Sequence, residues 1–210
     1  IAIEKRPEID QWVISCLNTL VLDVEACLDD YEPTKATRLI DNYVDEILSN
    51  WYVRLCRRRF WKGEYSEDKI SAYQTLYTNL DVLSRLMASV APFFADFLFK
   101  SLNKATNKDT AESVHLADFP KGNSALINKD LEERMDMARN ITSMVLSIRA
   151  KEKLKVRQPL ERILIPVDND EMMAKVKKME SYILSEVNVK RMEYVSGTEG
   201  IVKKQIKPNF

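Results

Sequence analysis

The sequence is poor in the residues that interrupt helices. Its 210 residues include only four glycines and seven prolines, fewer than a globular chain of this length usually contains. This scarcity favours long helices connected by few turns. Hydrophobic residues make up 45% and charged residues 30% of the chain, which is typical of a soluble globular protein. The length allows one domain, or one domain with an appendage, around a hydrophobic core.

Cysteine and histidine are also scarce. Cys16, Cys27 and Cys56 are widely separated within helical apolar patterns, so they form neither a disulfide framework nor a zinc spacing, and we expect them to be reduced. The single histidine, His115, has no serine or cysteine at the spacing of a nucleophile. A glycine-rich phosphate loop and a paired metal-ligand motif are both missing. We therefore expect no catalytic residue, no metal site and no cofactor in this chain.

A long uninterrupted apolar run is missing as well. No run approaches the roughly 20 residues that a membrane-spanning helix needs, and the first residues lack the apolar centre of a signal peptide. We expect no membrane contact and a cytoplasmic location.

The net charge of zero hides a segregation of charge along the sequence. Pro7 to Thr34 contain seven acidic residues and no basic one, whereas Ser147 to Arg162 contain six basic residues and two acidic ones. Such polarity predicts one surface that faces a polyanion and another that repels it.

Apolar residues recur at helical spacing through most of the chain before Pro159. The pattern predicts helices at about 8–31, 33–61, 66–90, 92–102 and 129–153, with a long connection at 103–128. It places Phe93, Phe94 and Phe97 in the core. After Pro159, strands at 162–167 and 187–195 flank a helix at 170–184, and 201–207 could add a third strand. We predict a mainly α fold: an antiparallel helix bundle over residues 1–158, followed by a small α/β appendage over 159–210 that is truncated in mid-domain.

Two basic segments are the candidate binding sites. In Ser49–Trp61, arginines alternate with large aromatic residues, a mixture that suits phosphate contact and base stacking on a structured polyanion such as tRNA. A helical projection places Arg54 and Arg57 beside Trp61 at an exposed edge but Arg58 on the apolar stripe, where it would need a carboxylate partner. The second segment, Arg149–Leu160, lies where the bundle gives way to the appendage. A simple solvated charged face remains the alternative for both.

Five segments in order resemble the C-terminal region of isoleucyl-tRNA synthetase, a class I aminoacyl-tRNA synthetase. Asp10–Asn18 is similar to the family's Asp-Arg-Trp-Ile-Leu-Ser-Arg-Leu-Asn, and Ser49–Trp61 to its Ser-Asn-Trp-Tyr block ending in Arg-Arg-Arg-Phe-Trp. Ala91–Phe93, Glu112–Pro120 and Lys155–Leu160 resemble three further blocks. The family's two ATP-site signatures, His-Ile-Gly-His and Lys-Met-Ser-Lys-Ser, are absent.

The resemblance implies an anticodon-binding piece of a larger enzyme. The parent would use ATP and Mg²⁺ to attach isoleucine to its tRNA and would edit mischarged tRNA, with the catalytic and editing domains on the same chain and a monomeric state. This piece would be non-catalytic and would bind the isoleucine tRNA at the anticodon stem and loop. The expected tRNA-binding residues are Arg54, Arg57, Arg58, Arg59, Trp61, Lys62, Lys151, Lys153, Lys155 and Arg157. The alternatives are the same module of a valyl-tRNA synthetase and a non-enzymatic helical domain that binds an acidic protein.

Overall fold

A computed structural model describes residues 1–61 and 64–196. The chain forms two compact units, Ile1–Glu132 and Glu133–Phe210. The described residues are mainly helical, with one small parallel sheet near the end, and this confirms the predicted fold class. The predicted domain boundary at residue 158 remains a prediction.

The first unit is built from five α-helices and the first turn of a sixth. The helices are α1 (Glu8–Asp29), α2 (Pro33–Asn42), α3 (Arg54–Trp61), α4 (Glu67–Leu86), α5 (Pro92–Thr106) and α6 (Lys129–Lys151). Helix α1 packs against α2 and α4, while α3 and α5 pack against α4. The first turn of α6 is attached to α1, because Ser15 Oγ and Thr19 Oγ1 lie 2.5 and 3.0 Å from Glu132 Oε1.

Helix α1 is the most apolar helix of this unit. Contrary to our expectation, it is long and apolar enough to cross a membrane, judged by length and composition alone. Its Trp12, Val13 and Val24 are fully buried in the protein, and its first turn carries the buried, hydrogen-bonded carboxylate of Asp10. Burial inside the bundle accounts for the apolar character of α1.

The predicted helix over residues 33–61 is continuous but not uniform. Between α2 and α3, Tyr43–Val53 forms a π-helix, in which hydrogen bonds span five residues instead of four. Each residue therefore advances by a smaller angle than in an α-helix. A projection at a constant 100° per residue loses its phase across this segment. It places Arg58 wrongly, although Arg54, Arg57 and Trp61 are exposed as predicted.

Helices α4 and α5 begin where the sequence predicts, but α4 ends at Leu86, earlier than predicted, and α5 continues to Thr106. Ser66 caps α4 by accepting a hydrogen bond from the Lys69 amide, and Pro92 occupies the first turn of α5, where its missing N–H has no partner to lose. The prediction that Phe93, Phe94 and Phe97 are core residues is wrong. Their exposed fractions are 92%, 57% and 68%, because Ala95 and Phe99 occupy the buried face of α5.

The long connection after α5 contains two short 3-10 helices, Val114–Leu116 and Ser124–Leu126. Gly122 lies against α1 so closely that a Cβ atom there would be 2.6 Å from Leu22. The next residue is held in place too, because the Asn123 amide donates to Asn18 Oδ1 at 2.8 Å. Gly122 and Asn123 thus mark a point where the connection docks on α1.

The second unit contains the rest of α6 and a small α/β element. Strands β1 (Leu160–Val167) and β2 (Val189–Ser196) pair in parallel, with Leu160 opposite Val189. The helix predicted over 170–184 divides at Met179 into α7 (Asp170–Lys178) and α8 (Glu180–Val187). The possible third strand at 201–207 lies outside the described residues.

Candidate nucleic-acid interface

The arginines of α3 lie on opposite faces of the helix. Arg54, Arg57, Arg58 and Trp61 follow the spacing i, i+3, i+4 and i+7, which places them on one face, and all four are exposed. The helical projection from the sequence was therefore wrong about Arg58. We call these four residues the outer face of α3.

Arg59 points in the opposite direction, into the bundle. It forms a two-pronged ion pair with the fully buried Asp10, with Nη1 to Oδ1 at 2.7 Å and Nη2 to Oδ2 at 2.8 Å. Its Nε donates to Asp68 Oδ2 at 3.0 Å, Nη2 also donates to the Asp68 carbonyl, and Nη1 donates to Cys56 Sγ. A guanidinium has five N–H donors, and all five are engaged. The donors of Arg59 are thus satisfied within the protein, and its predicted phosphate contact stays a prediction.

The surroundings of Arg59 keep its guanidinium group protonated. Burial by itself lowers the pKa of Arg59, but the hydrogen bonds and the negative charge of Asp10 outweigh burial and raise the pKa above its ordinary value. Burial also raises the pKa of Tyr52, with smaller contributions from Cys56 and Asp10. The Tyr52 hydroxyl therefore stays protonated and donates to Asp10 Oδ1 at 2.9 Å.

Aromatic side chains surround the end of α3. Trp61 and Tyr65 are 81% and 82% exposed, so each offers a flat face on which an unpaired base could stack. Phe60 and Tyr73 pack edge to face with ring centroids 5.5 Å apart, and the Tyr73 hydroxyl donates to the Phe60 carbonyl at 3.2 Å. The predicted binding residue Lys62 lies outside the described residues.

The second basic cluster is a loop between α6 and β1. Its predicted binding residues are all exposed; they are Lys151, Lys153, Lys155 and Arg157. Lys153 has a φ of 57°, in the left-handed region that ends a helix and turns the chain. The basic side chains therefore project from a tight turn and not from a continuous helix.

A buried arginine holds this loop from inside. Arg149 is only 2% exposed, and its Nη2 donates to the carbonyls of Lys155 and Gln158. Among the described residues, its Nε and Nη1 have no hydrogen-bond partner. On the other side, Asn188 Nδ2 donates to the Val156 carbonyl at 2.9 Å. The loop backbone is thus held by hydrogen bonds from two side chains.

Other chemistry has little support in the described part of the chain. No group of three or more histidine, cysteine or acidic side chains that could hold a metal ion occurs in residues 1–61 and 64–196. His115 lies exposed in the 3-10 helix Val114–Leu116, beside a groove of about 330 Å³ that is lined mainly by apolar and uncharged residues. What the site offers is charge and aromatic surface, which suits the binding of a polyanion.

Comparison with known proteins agrees with this class of site. A family model described as the anticodon-binding domain of tRNA ligase matches residues 10–165. The chain therefore belongs to the family of tRNA-ligase anticodon-binding domains. This confirms the kind of domain that the sequence resemblance predicted.

Its curated relatives are named isoleucine–tRNA ligase. The chain is 53% identical to the protein from Cytophaga hutchinsonii over all of its length, 52% identical to that from Bacteroides thetaiotaomicron over 98% of its length, and 43% identical to that from Dehalococcoides mccartyi over 92%. It spans 18–20% of the length of these relatives. The chain thus corresponds to about a fifth of each longer protein.

Several residues that shape the site were missed by the sequence reasoning. Asp10, Tyr52 and Asn188 were not recognised because their partners lie more than 30 positions away in the sequence. Tyr65 was overlooked although an aromatic residue between Gly63 and Ser66 was a visible signal. Nothing in the sequence indicated the role of Arg149, because it stands two positions before Lys151, the same interval that separates the exposed lysines that follow.

Proposed function

We propose that this chain binds the anticodon stem and loop of a tRNA, and that it does so through the outer face of α3 and the basic loop Lys151–Arg157. The observation that carries this proposal is the outer face itself. Three arginines and a tryptophan are exposed side by side, with none of the acidic residues of α1 among them. Arginine pairs with phosphate through two parallel hydrogen bonds, so this face suits an RNA backbone.

The two clusters would make different contributions. Arg54, Arg57 and Arg58 would contact backbone phosphates of the stem, and Lys151, Lys153, Lys155 and Arg157 those on the loop side, as would Lys62. Phosphate contacts supply affinity but little sequence information. Trp61 and Tyr65 would add stacking with unpaired bases, which is the usual source of specificity for single-stranded RNA.

The names of the relatives suggest the tRNA and the parent enzyme. We propose that the tRNA is the isoleucine acceptor and that the chain is part of an isoleucine–tRNA ligase, whose other domains use ATP and Mg²⁺ to attach isoleucine and remove wrongly attached amino acids. We further propose that the parent is a cytoplasmic monomer.

The test is a salt titration of binding to three RNAs. They are isoleucine tRNA, the same tRNA with a changed anticodon, and an unrelated RNA duplex of equal length. We expect preference for the first and a steep loss of affinity with salt, because each phosphate contact releases counterions and contributes about 0.7 to 0.9 to the logarithmic slope.

A triple variant, Arg54→Gln, Arg57→Gln and Arg58→Gln, should lower that slope by roughly 2 to 3. The matched control replaces three exposed basic residues of α2 and α5, Lys35, Arg38 and Lys104, by glutamine and should change it less. Equal slopes for both triple variants would refute the role of the outer face. With valine tRNA added as a fourth RNA, preference for it over isoleucine tRNA would favour a valyl parent. No binding to any RNA would favour a protein partner.

A further inference from the structure

The ion pair between Asp10 and Arg59 connects three helices. Asp10 lies in the first turn of α1, Arg59 in the last turn of α3, and Asp68 in the first turn of α4. The pair with Asp10 is buried at its carboxylate and largely buried at Arg59, whose side chain is 16% exposed. A single guanidinium thus fixes the end of α3 against both neighbouring helices.

This connection also sets the rotation of α3 about its own axis. Cys56 and Arg59 face the bundle, at positions i and i+3, and Tyr52 one turn earlier donates to the same carboxylate. On an α-helix, these positions lie roughly 180° from the centre of the outer face, given 100° per residue. Arg57, Arg58 and Trp61 therefore point outward because Arg59 points inward.

The last turn of a helix needs such an attachment. Its final carbonyls lack partners within the helix, so helix ends open more easily than helix centres. Arg58 and Trp61 belong to this turn of α3, and Arg57 directly precedes it. A turn that opens presents its side chains in many orientations. The entropy lost when RNA binding orders them then weakens the affinity.

We propose that Asp10 is a positioning residue for RNA binding. It touches no RNA, and it acts through Arg59 to hold the outer face of α3 in the orientation that binds phosphate. This inference rests on the proposed function of the outer face. It assigns a binding role to a fully buried acid in α1, a helix whose other acids would repel RNA.

The experiment is a double-mutant cycle between Asp10 and Arg57, which lie on opposite sides of α3. Wild type, Asp10→Asn, Arg57→Gln and the double variant are titrated with a fluorescently labelled anticodon stem-loop of isoleucine tRNA. The temperature is one at which circular dichroism shows every protein folded. Asp23→Asn is the control, because Asp23 is an exposed acid of the same helix.

We expect Asp10→Asn to weaken binding by about tenfold, the factor that corresponds to the ordering of about one residue. We also expect Arg57→Gln to cost clearly less in the Asp10→Asn background than in the wild type, because the arginine has already lost its orientation. Backbone amides of residues 57–61 should exchange hydrogen faster in Asp10→Asn without RNA. A purely structural role would leave the two binding losses independent.

Two results separate this inference from the proposed function. If Arg57→Gln weakens binding but folded Asp10→Asn binds like wild type, or if the two losses multiply, Asp10 has no positioning role and the outer face still binds RNA. If Arg57→Gln and Arg58→Gln leave binding unchanged in the wild type, both proposals fail. Should Asp10→Asn not fold, Asp68→Asn takes its place in the same cycle, because the Asp68 carboxylate is half exposed.

Discussion

Arg58 and Arg59 are neighbours of the same residue type with opposite environments. Arg58 is exposed, whereas Arg59 donates all five of its N–H groups to Asp10, Asp68 and Cys56. A charge that is removed from water needs a partner, and Asp10 is the fully buried acid within reach of this helix. The difference between the two arginines is therefore decided by where Asp10 lies.

The two arginines should respond differently to the same substitution. We expect Arg59→Gln to lower the free energy of unfolding by about 3 kcal/mol, because it leaves the Asp10 carboxylate buried without its cation. Arg58→Gln should change it by no more than about 0.5 kcal/mol. Both substitutions remove one positive charge from the same turn of α3. A comparison of the two variants in urea unfolding therefore isolates the effect of burial. Equal losses would contradict the inward role of Arg59.

Asp96 is a second carboxylate with a structural role. Hydrogen bonds from Lys100 and Ser113, helped by the Val114 amide, lower its pKa to about 2 although desolvation acts in the opposite direction. Ser113 Oγ and Lys100 Nζ are each 2.7 Å from the carboxylate. The ionised form thus attaches the Val114–Leu116 turn to α5.

The lowered pKa predicts how stability depends on pH. An aspartate in an unfolded chain has a pKa near 3.9, so the ionised Asp96 stabilises the folded state above about pH 4, and this contribution disappears as the pH falls towards about 2. Asp96→Asn should be less stable than wild type at pH 7, and the difference in melting temperature should shrink between about pH 4 and pH 2. Asp23→Asn, at an exposed site, should show no comparable change. A difference that is constant with pH would mean that the carboxylate charge is not responsible.

At the scale of elements, the π-helix Tyr43–Val53 is the feature with the widest consequences. The apolar periodicity identified one long helix over residues 33–61, and this helix exists. The wider turns of the π segment rotate the residues that follow it. They bring Arg59 towards Asp10 and turn Arg58 outward.

In helix α5, too, the spacing of apolar residues does not show which of them are buried. Its five phenylalanine and leucine residues before Lys100 would fit a buried stripe, yet Phe93, Phe94 and Phe97 are exposed in the described structure. Phe99 is buried with Ala95 and Val114, and Arg85 lies over its ring at 5.2 Å. Phe99 is therefore the one phenylalanine of α5 whose ring is buried.

Two truncations in α5 should differ strongly in their effects. Phe99→Ala should lower the free energy of unfolding by about 3 to 5 kcal/mol, because it leaves a cavity beside Val114. Phe97→Ala should change it by about 0.5 kcal/mol or less. Both variants gain the same helix propensity, so thermal or urea unfolding compares burial alone. A large loss for Phe97→Ala would show that this ring is buried in solution.

At the scale of the whole molecule, charge and length define what the chain can contribute. The net charge of zero provides no general attraction to RNA, so binding must come from local surfaces such as the outer face of α3 and the loop Lys151–Arg157. These surfaces belong to different compact units. The chain also spans only about a fifth of its relatives, so a weak affinity of the isolated chain would be compatible with strong binding by a longer protein.

The sequence by itself determined the helical elements, two strands with a helical segment between them, and the family. Apolar spacing, Ser66 and Pro92 act within a few residues of their own positions, so they can be interpreted locally. Five ordered segments sufficed for the family resemblance, which the match over residues 10–165 confirms.

Only the tertiary structure decided that Arg58 faces the solvent and Arg59 the bundle. Asp10 and Arg59 are 49 residues apart in the sequence. Arg149 donates to the carbonyls of Lys155 and Gln158 across the left-handed turn at Lys153. Arg58 and Arg59 have the same chemistry, and they differ because a buried carboxylate from another helix can pair with one of them. Partners that are brought together by folding, and the change of phase in the π-helix, leave no local pattern in the sequence.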